Sequence, residues 1–201
     1  PLEVLSIRAT PVGDLGPLEG MPLRKLDAYG CPLSDLGPLS GLPLESFVCT
    51  SPSVHDLEPL RGAPGTLLAL VSFAGTSLDP LRGMPCGTLS FIACNNIENL
   101  EPLHGMPCTS LSFDRCGKVS SLEPLRGMPL AYLNIQGTAV RDLSPLADMP
   151  LVELRFEVKE INRGLDVLRG MQSLTKLAPE GYPTISPAEF WRRYDAGEFK
   201  K

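Results

Sequence analysis

Apolar side chains recur along this chain at a fixed interval. A phrase written Pro-Leu-x-Gly-Met-Pro in its commonest form occurs seven times, in varied wording, between residues 16 and 150. Successive phrases are 21 or 22 residues apart when their last proline is taken as position 1, and such self-similarity predicts stacked coils. Position 1 is occupied by Pro1, Pro22, Pro43, Pro64, Pro85, Pro107, Pro129 and Pro150.

Each repeat contains two short apolar stretches. Positions 5 and 7 alternate with polar positions, which is the period of a half-buried strand. Positions 15 and 18 are usually leucines with a proline between them, as in Leu143-Ser-Pro-Leu146. Because proline suits the first position of a helical turn, this stretch predicts a short 3₁₀ turn capped by the residue before proline. A coil this short cannot bury its own apolar face, so neighbouring coils must share one core.

Positions 2 to 12 follow the pattern L-x-x-L-x-L-x-x-N/C-x-L, and on this pattern the chain resembles the leucine-rich repeat family. The best-formed copy is residues 129–149, "PLAYLNIQGTAVRDLSPLADM". Its short length and the segment "DLSPL" resemble repeats of the internalin type. The recurrent "PLRGMPL" and the ending "PAEFWRRYDAGEFKK" resemble planctomycete-type bacterial arrays, which stand alone or follow a Ser/Thr protein kinase domain.

The resemblance implies an α/β fold, a right-handed solenoid or horseshoe with a parallel sheet on its concave face and 3₁₀ turns on its convex face. We assign residues 1–177 to about eight coils and residues 178–201 to a C-terminal cap helix and tail. The helix is predicted to start after Ser186, an N-cap residue, and to cover the end of the core with aromatic side chains. These are Phe190, Trp191 and Tyr194.

The chain opens in mid-phrase at Pro1, so we expect it to be a piece of a longer protein. No cap precedes the first strand, and an uncovered strand edge favours self-association. The net charge of −5 and the absence of Lys/Arg runs disfavour a nucleic-acid partner. Apolar runs are only a few residues long, so we expect no membrane insertion by this chain.

In a leucine-rich repeat solenoid, positions 4, 6 and 8 point outward from the concave sheet. In coils three to five these positions are mostly apolar or small, which indicates a surface for a protein or peptide partner. The alternative is that β-branched residues are there because they suit a sheet face. The candidate partner-binding residues are Tyr29, Val48, Leu67, Val71, Ile92, Asp114, Tyr132, Asn134 and Arg155.

The six cysteines fall at repeat positions that the family buries, so we expect free thiols in the core. Two alternatives remain open: disulfides between neighbouring coils (Cys86–Cys108 or Cys94–Cys116) and a metal site, which the absence of a C-x-x-C motif disfavours. The fourth coil is irregular, with Phe73 at position 10 and Gly75 at position 12, and its register is the least secure.

No residue set predicts catalysis. His55 and His104 lie on the variable outer part of separate coils, without a matching nucleophile. Aspartates recur at position 14 (Asp14, Asp35, Asp56 and Asp142), where they suit a turn better than a row of calcium ligands. We therefore expect neither enzyme activity nor a cofactor.

The favoured function is a non-catalytic protein-protein interaction module. We expect it to be a sensor or scaffold region of a larger bacterial protein such as a Ser/Thr kinase. Two rivals stay open: a structural spacer without a ligand, and a hydrolytic enzyme that uses surface carboxylates and His55. The sequence leaves two compartments open. The module is cytoplasmic or, if it is part of a receptor-like kinase, extracytoplasmic.

Overall fold

Nine short parallel strands stack in chain order into one sheet. The computed structural model describes the backbone of residues 1–200 and the side chains of residues 1–199. The one-strand-per-coil order confirms the predicted leucine-rich repeat solenoid. The strands are β1 (Val4–Ser6), β2 (Lys25–Ala28), β3 (Ser46–Thr50), β4 (Leu67–Val71), β5 (Thr88–Ile92), β6 (Ser110–Ser112), β7 (Tyr132–Asn134), β8 (Glu153–Phe156) and β9 (Lys176–Pro179).

Equal repeat positions lie side by side along the whole sheet. Leu67 of the irregular fourth coil pairs with Ser46 before it and Thr88 after it, so this coil keeps the common register. Inward side chains therefore stack on inward side chains from one end to the other. The parallel rings of Phe91 and Phe113, whose centroids are 5.6 Å apart, are one step of this stack.

In the fourth coil, a large side chain at position 10 takes the place of the one that other coils bury at position 12. Phe73 is 1% exposed although its position is small or polar in other coils. A Cβ atom added to Gly75 would overlap both the Phe73 ring and the carbonyl oxygen of His55. The large residue at position 10 therefore occupies the space that a position-12 side chain fills elsewhere, and the irregular sequence preserves the packing.

A 3₁₀ turn crosses the convex side of each of the first seven coils, as predicted. The predicted cap is wrong, because the residue before proline is the first residue of the turn. The side chain at position 14 instead accepts its backbone N–H: Asp14 Oδ1 from Gly16 at 2.7 Å, and Asp142 Oδ1 from Ser144 at 2.7 Å. This confirms the turn role of these aspartates. The turns span Gly16–Leu18, Gly37–Leu39, Glu58–Leu60, Asp79–Leu81, Glu101–Leu103, Glu123–Leu125 and Ser144–Leu146.

The C-terminal end of the core is closed by a helix, α2 (Pro187–Asp195), as predicted. Ser186 Oγ accepts the backbone N–H of Glu189 at 3.2 Å. Phe190 is fully buried and its ring lies 5.8 Å from that of Phe156 in the eighth coil. The cap is therefore continuous with the solenoid core, while the division at residue 177 stays a prediction.

Three further elements follow β8 along the chain. A 3₁₀ turn spans Val158–Glu160, a one-turn helix, α1, spans Val167–Gly170, and a last 3₁₀ turn spans Glu198–Lys200. The final strand, Lys176–Pro179, spans the predicted boundary at residue 177. Within the described residues, no helix is long and apolar enough to cross a bilayer.

All six cysteines are buried free thiols, as expected, and not disulfides. Cys31 Sγ donates to the carbonyl oxygen of Ile7 at 3.0 Å, so a position-10 thiol helps to satisfy the backbone where the chain leaves the strand. Burial raises the pKa of Cys49 and of Cys108 to about 12. These two thiols therefore stay protonated at neutral pH and are poor nucleophiles and metal ligands.

The glycine that recurs at position 20 adopts a left-handed backbone conformation, and a substitution there would measure its cost. Gly83 has φ +72° and no heavy atom within 4 Å of an added Cβ, so Gly83→Ala would cost only left-handed strain, about 1–2 kcal/mol. Asp148 holds the same conformation in the seventh coil, with φ 64°, so Asp148→Gly should stabilise the fold. Denaturant titration measures both effects, and equal midpoints for wild type and Gly83→Ala would contradict this role.

Candidate protein-binding face

Three rows of outward side chains run across the concave face, one row for each of positions 4, 6 and 8. Strand pairing places equal positions next to each other, with strands about 4.8 Å apart. The position-4 row is Val4, Lys25, Ser46, Leu67, Thr88, Ser110, Tyr132, Glu153 and Lys176. The position-6 row is Ser6, Asp27, Val48, Ala69, Ser90, Ser112, Asn134, Arg155 and Ala178. The position-8 row is Arg8, Tyr29, Thr50, Val71, Ile92, Asp114, Gln136, Glu157 and Glu180.

The centre of this face is apolar. Val48, Leu67, Val71 and Ile92 lie on the consecutive strands β3, β4 and β5, and we call them the apolar strip. All four are half-buried, because each is shielded by its neighbours in the row. Val71 stands directly beside Ile92 in the sheet register. The structure thus brings together the four apolar residues predicted for the site.

The N-terminal side of the strip presents an aromatic ring. Tyr29 is 40% exposed. The guanidinium of Arg8 lies 4.4 Å from the centre of its ring and donates to Asp27 Oδ2 at 3.3 Å. This cation–π contact covers one face of the ring and restrains it on the concave surface.

The C-terminal side of the strip carries a second tyrosine within a set of charges. Arg155 lies 5.8 Å from the ring centre of Tyr132 and donates to Glu153 Oε1 at 2.9 Å. Lys176 Nζ is 3.7 Å from the other oxygen of Glu153. Partial burial raises the pKa of Tyr132, so its hydroxyl is a neutral hydrogen-bonding group. The positive charge of Arg155 is balanced within the protein.

Asn134 and Asp114 differ in how far a partner could reach them. Asn134 is only 8% exposed, and its Oδ1 accepts the backbone N–H of Gln136 at 3.0 Å. The side chain of Asp114 is 28% exposed, and its Oδ2 lies 3.4 Å from Arg115 Nε. Asn134 therefore forms part of the floor of the face, whereas Asp114 stands at its surface. The role of all nine candidate residues in binding stays a prediction.

Two carboxylates at the ends of β8 and β9 were absent from the predicted site. Glu157 and Glu180 both line a cavity of about 390 Å³ bounded by residues 157–160, 179–182 and Phe199. Desolvation and the neighbouring Glu157 carboxylate raise the pKa of Glu180. The repeat register indicated Glu157 as an outward residue. Glu180 lies beyond the last recognised repeat, and only the folded tail reveals its proximity to Glu157.

The histidines are not arranged for catalysis. His55 Nδ1 lies 2.9 Å from the carbonyl oxygen of Ser53, and His104 Nδ1 lies 3.1 Å from that of Pro124. Each ring is exposed and bonds to a backbone oxygen on its own part of the convex surface. Over the described residues, no group of three or more His, Cys, Asp and Glu side chains is arranged to hold a metal ion.

Comparison with solved structures finds internalins, while no protein-family model and no curated protein matches the sequence. Internalin C2 of Listeria monocytogenes is 22% identical, with a TM-score of 0.71 over 88% of this chain and 80% of that one. Internalin inlF of the same organism is 16% identical, with a TM-score of 0.62 over 89% and 66%. These similarities establish an internalin-like leucine-rich repeat fold.

Adjacent residues on β5 should differ sharply in their effect on stability. Phe91 is fully buried, so Phe91→Ala should lower the free energy of unfolding by about 3–5 kcal/mol. Ile92 points to the concave face, so Ile92→Ser should lower it by only about 1 kcal/mol or less. Denaturant titration of both variants checks this, and similar losses would show that Ile92 packs in the core.

Proposed function

We propose that this protein is a non-catalytic module that binds a protein or peptide through its concave face. The apolar strip is the observation that carries the proposal. Its side chains are apolar although they lie on the outward face of three consecutive strands and keep part of their surface exposed, and exposed apolar surface marks interaction sites. Tyr29 and Tyr132 flank the strip, and tyrosine is enriched in such interfaces.

The dimensions of the face support a macromolecular partner. Nine strands at about 4.8 Å spacing give a surface about 38 Å long. An extended segment or a convex protein surface would contact several coils at once. The two internalin neighbours support the fold on which this proposal is built.

A larger host protein and a self-association edge belong to the same proposal. The resemblance of the repeat phrase and tail to planctomycete-type arrays supports a sensor or scaffold role in a bacterial protein such as a Ser/Thr kinase, whose catalytic domain would lie outside this chain. At the other end, Val4 on β1 is 60% exposed and Leu2, just before this strand, is 44% exposed. This apolar strand edge is a second candidate contact, with another copy of the chain.

A binding comparison with matched variants tests the concave site. Three proteins are immobilised and incubated with lysate: wild type, the double variant Ile92→Arg/Tyr132→Ala, and Val12→Arg. Circular dichroism first establishes that each of them is folded. Val12 is an exposed apolar residue outside the three rows, so its change controls for added charge. We expect a protein to be retained by wild type and Val12→Arg and lost from the double variant.

Other outcomes would count against the concave site. Equal retention by the double variant would exclude these two residues from the contact. Loss from Val12→Arg as well would show that added positive charge, and not the concave surface, controls retention. Absence of any retained protein would favour the spacer hypothesis.

A further inference from the structure

The charges of the concave face are distributed unevenly along the sheet. The apolar strip ends at β5, and three acidic residues of the position-8 row follow it: Asp114, Glu157 and Glu180. Asp114 has Arg115 at 3.4 Å. Among the described side chains, no cation lies within ion-pair distance of Glu157 or Glu180. The face therefore changes from apolar to negatively charged toward the C-terminal cap.

The cavity that Glu157 and Glu180 line has the composition of a receptor for a long basic side chain. Apolar groups of Val158, Pro179, Tyr182 and Phe199 form much of its wall. The Tyr182 ring packs edge-on against Phe199, with centroids 4.9 Å apart, which holds this wall in place. Lysine and arginine bury their aliphatic stems against such surfaces while the charged end meets a carboxylate.

Charges already within the cavity leave an acidic surplus. Lys159 lines it and makes no ion pair with any described side chain, and Glu160 is paired with Arg141 at 2.8 Å. One ammonium thus lines the cavity beside the two carboxylates of Glu157 and Glu180, and Glu157 Oε1 accepts the backbone N–H of Gly137 at 2.6 Å. Desolvation and the neighbouring Glu157 carboxylate together raise the pKa of Glu180. An additional cation would relieve the repulsion between the two carboxylates.

We propose that the partner segment bound on the concave face carries an arginine or lysine whose side chain enters this cavity. The inference rests on the proposed function and specifies the chemistry of the partner: an apolar residue over the strip, followed by a basic one. Ile92 on β5 and Glu157 on β8 are three strand spacings apart, about 14 Å. In an extended segment the two partner residues would be about four positions apart.

A titration with small probes tests the cavity without the natural partner. N-acetyl-arginine amide, N-acetyl-lysine amide and the neutral isostere N-acetyl-citrulline amide are added to ¹⁵N-labelled protein. We expect saturable shifts of the amide signals of residues 157–160 and 180–182 with at least one basic probe, and none with citrulline. Comparison of the arginine and lysine titrations then shows whether the cavity prefers a guanidinium or an ammonium group.

Charge-neutralising variants make the test specific. In Glu157→Gln/Glu180→Gln the apparent Kd for the basic probe should rise at least about tenfold, because both charge-assisted contacts are lost. Glu19→Gln/Glu98→Gln changes net charge equally at two exposed distant sites and should bind as wild type does. The amide spectrum of each variant reports its folding, and the single variant Glu180→Gln serves if the double one unfolds.

The inference is overturned if neither basic probe gives saturable shifts at these residues, if citrulline binds equally, or if the Gln variants bind like wild type. Such a result leaves the concave binding test unaffected, because that test depends on Ile92 and Tyr132 and not on the cavity. Conversely, retention of a partner by the Ile92→Arg/Tyr132→Ala variant would refute the concave site while the titration could still succeed.

Discussion

A coil of 21 or 22 residues has no interior of its own, and this constraint governs the whole molecule. Each inward side chain is buried only because the coils before and after it are present. The stacked rings of Phe91 and Phe113 illustrate the dependence, since each ring belongs to a different coil and neither would be buried alone. Nearly equal spacing of the repeats follows, and the one extra residue of the 22-residue coils leaves the strand register unchanged.

The same constraint leaves the concave rows free. Inward positions must match their neighbours in volume, and they do so even in the fourth coil, where Phe73 takes the space left by Gly75. Outward positions have no such requirement, so their chemistry varies from coil to coil without cost to the fold. An apolar centre followed by an acidic end is therefore a pattern that packing does not demand, and the proposed partner site is based on it.

Periodicity was sufficient to predict the solenoid, the strand of each coil and the convex turns, while the cap helix followed from the N-cap signal at Ser186. Periodicity also placed the apolar strip correctly, because outward orientation follows from repeat position alone. It did not reveal that the turn is capped from position 14, since this depends on where the first 3₁₀ residue falls relative to proline. Other features arise from contacts between coils, including the burial of Asn134 and the proximity of Glu180 to Glu157. No single repeat contains that information.

Native-state hydrogen exchange, residue by residue, tests most directly whether the coils are stable only through their neighbours. The two ends differ, because Phe190 covers one and the other leaves Leu5 and Ile7 half-buried. Protection should be lowest in the first coil, rise through the next, and stay high from the middle of the sheet to α2. Equal protection in the first and fifth coils would contradict the account, because it would show that a coil is stable without a neighbour on one side.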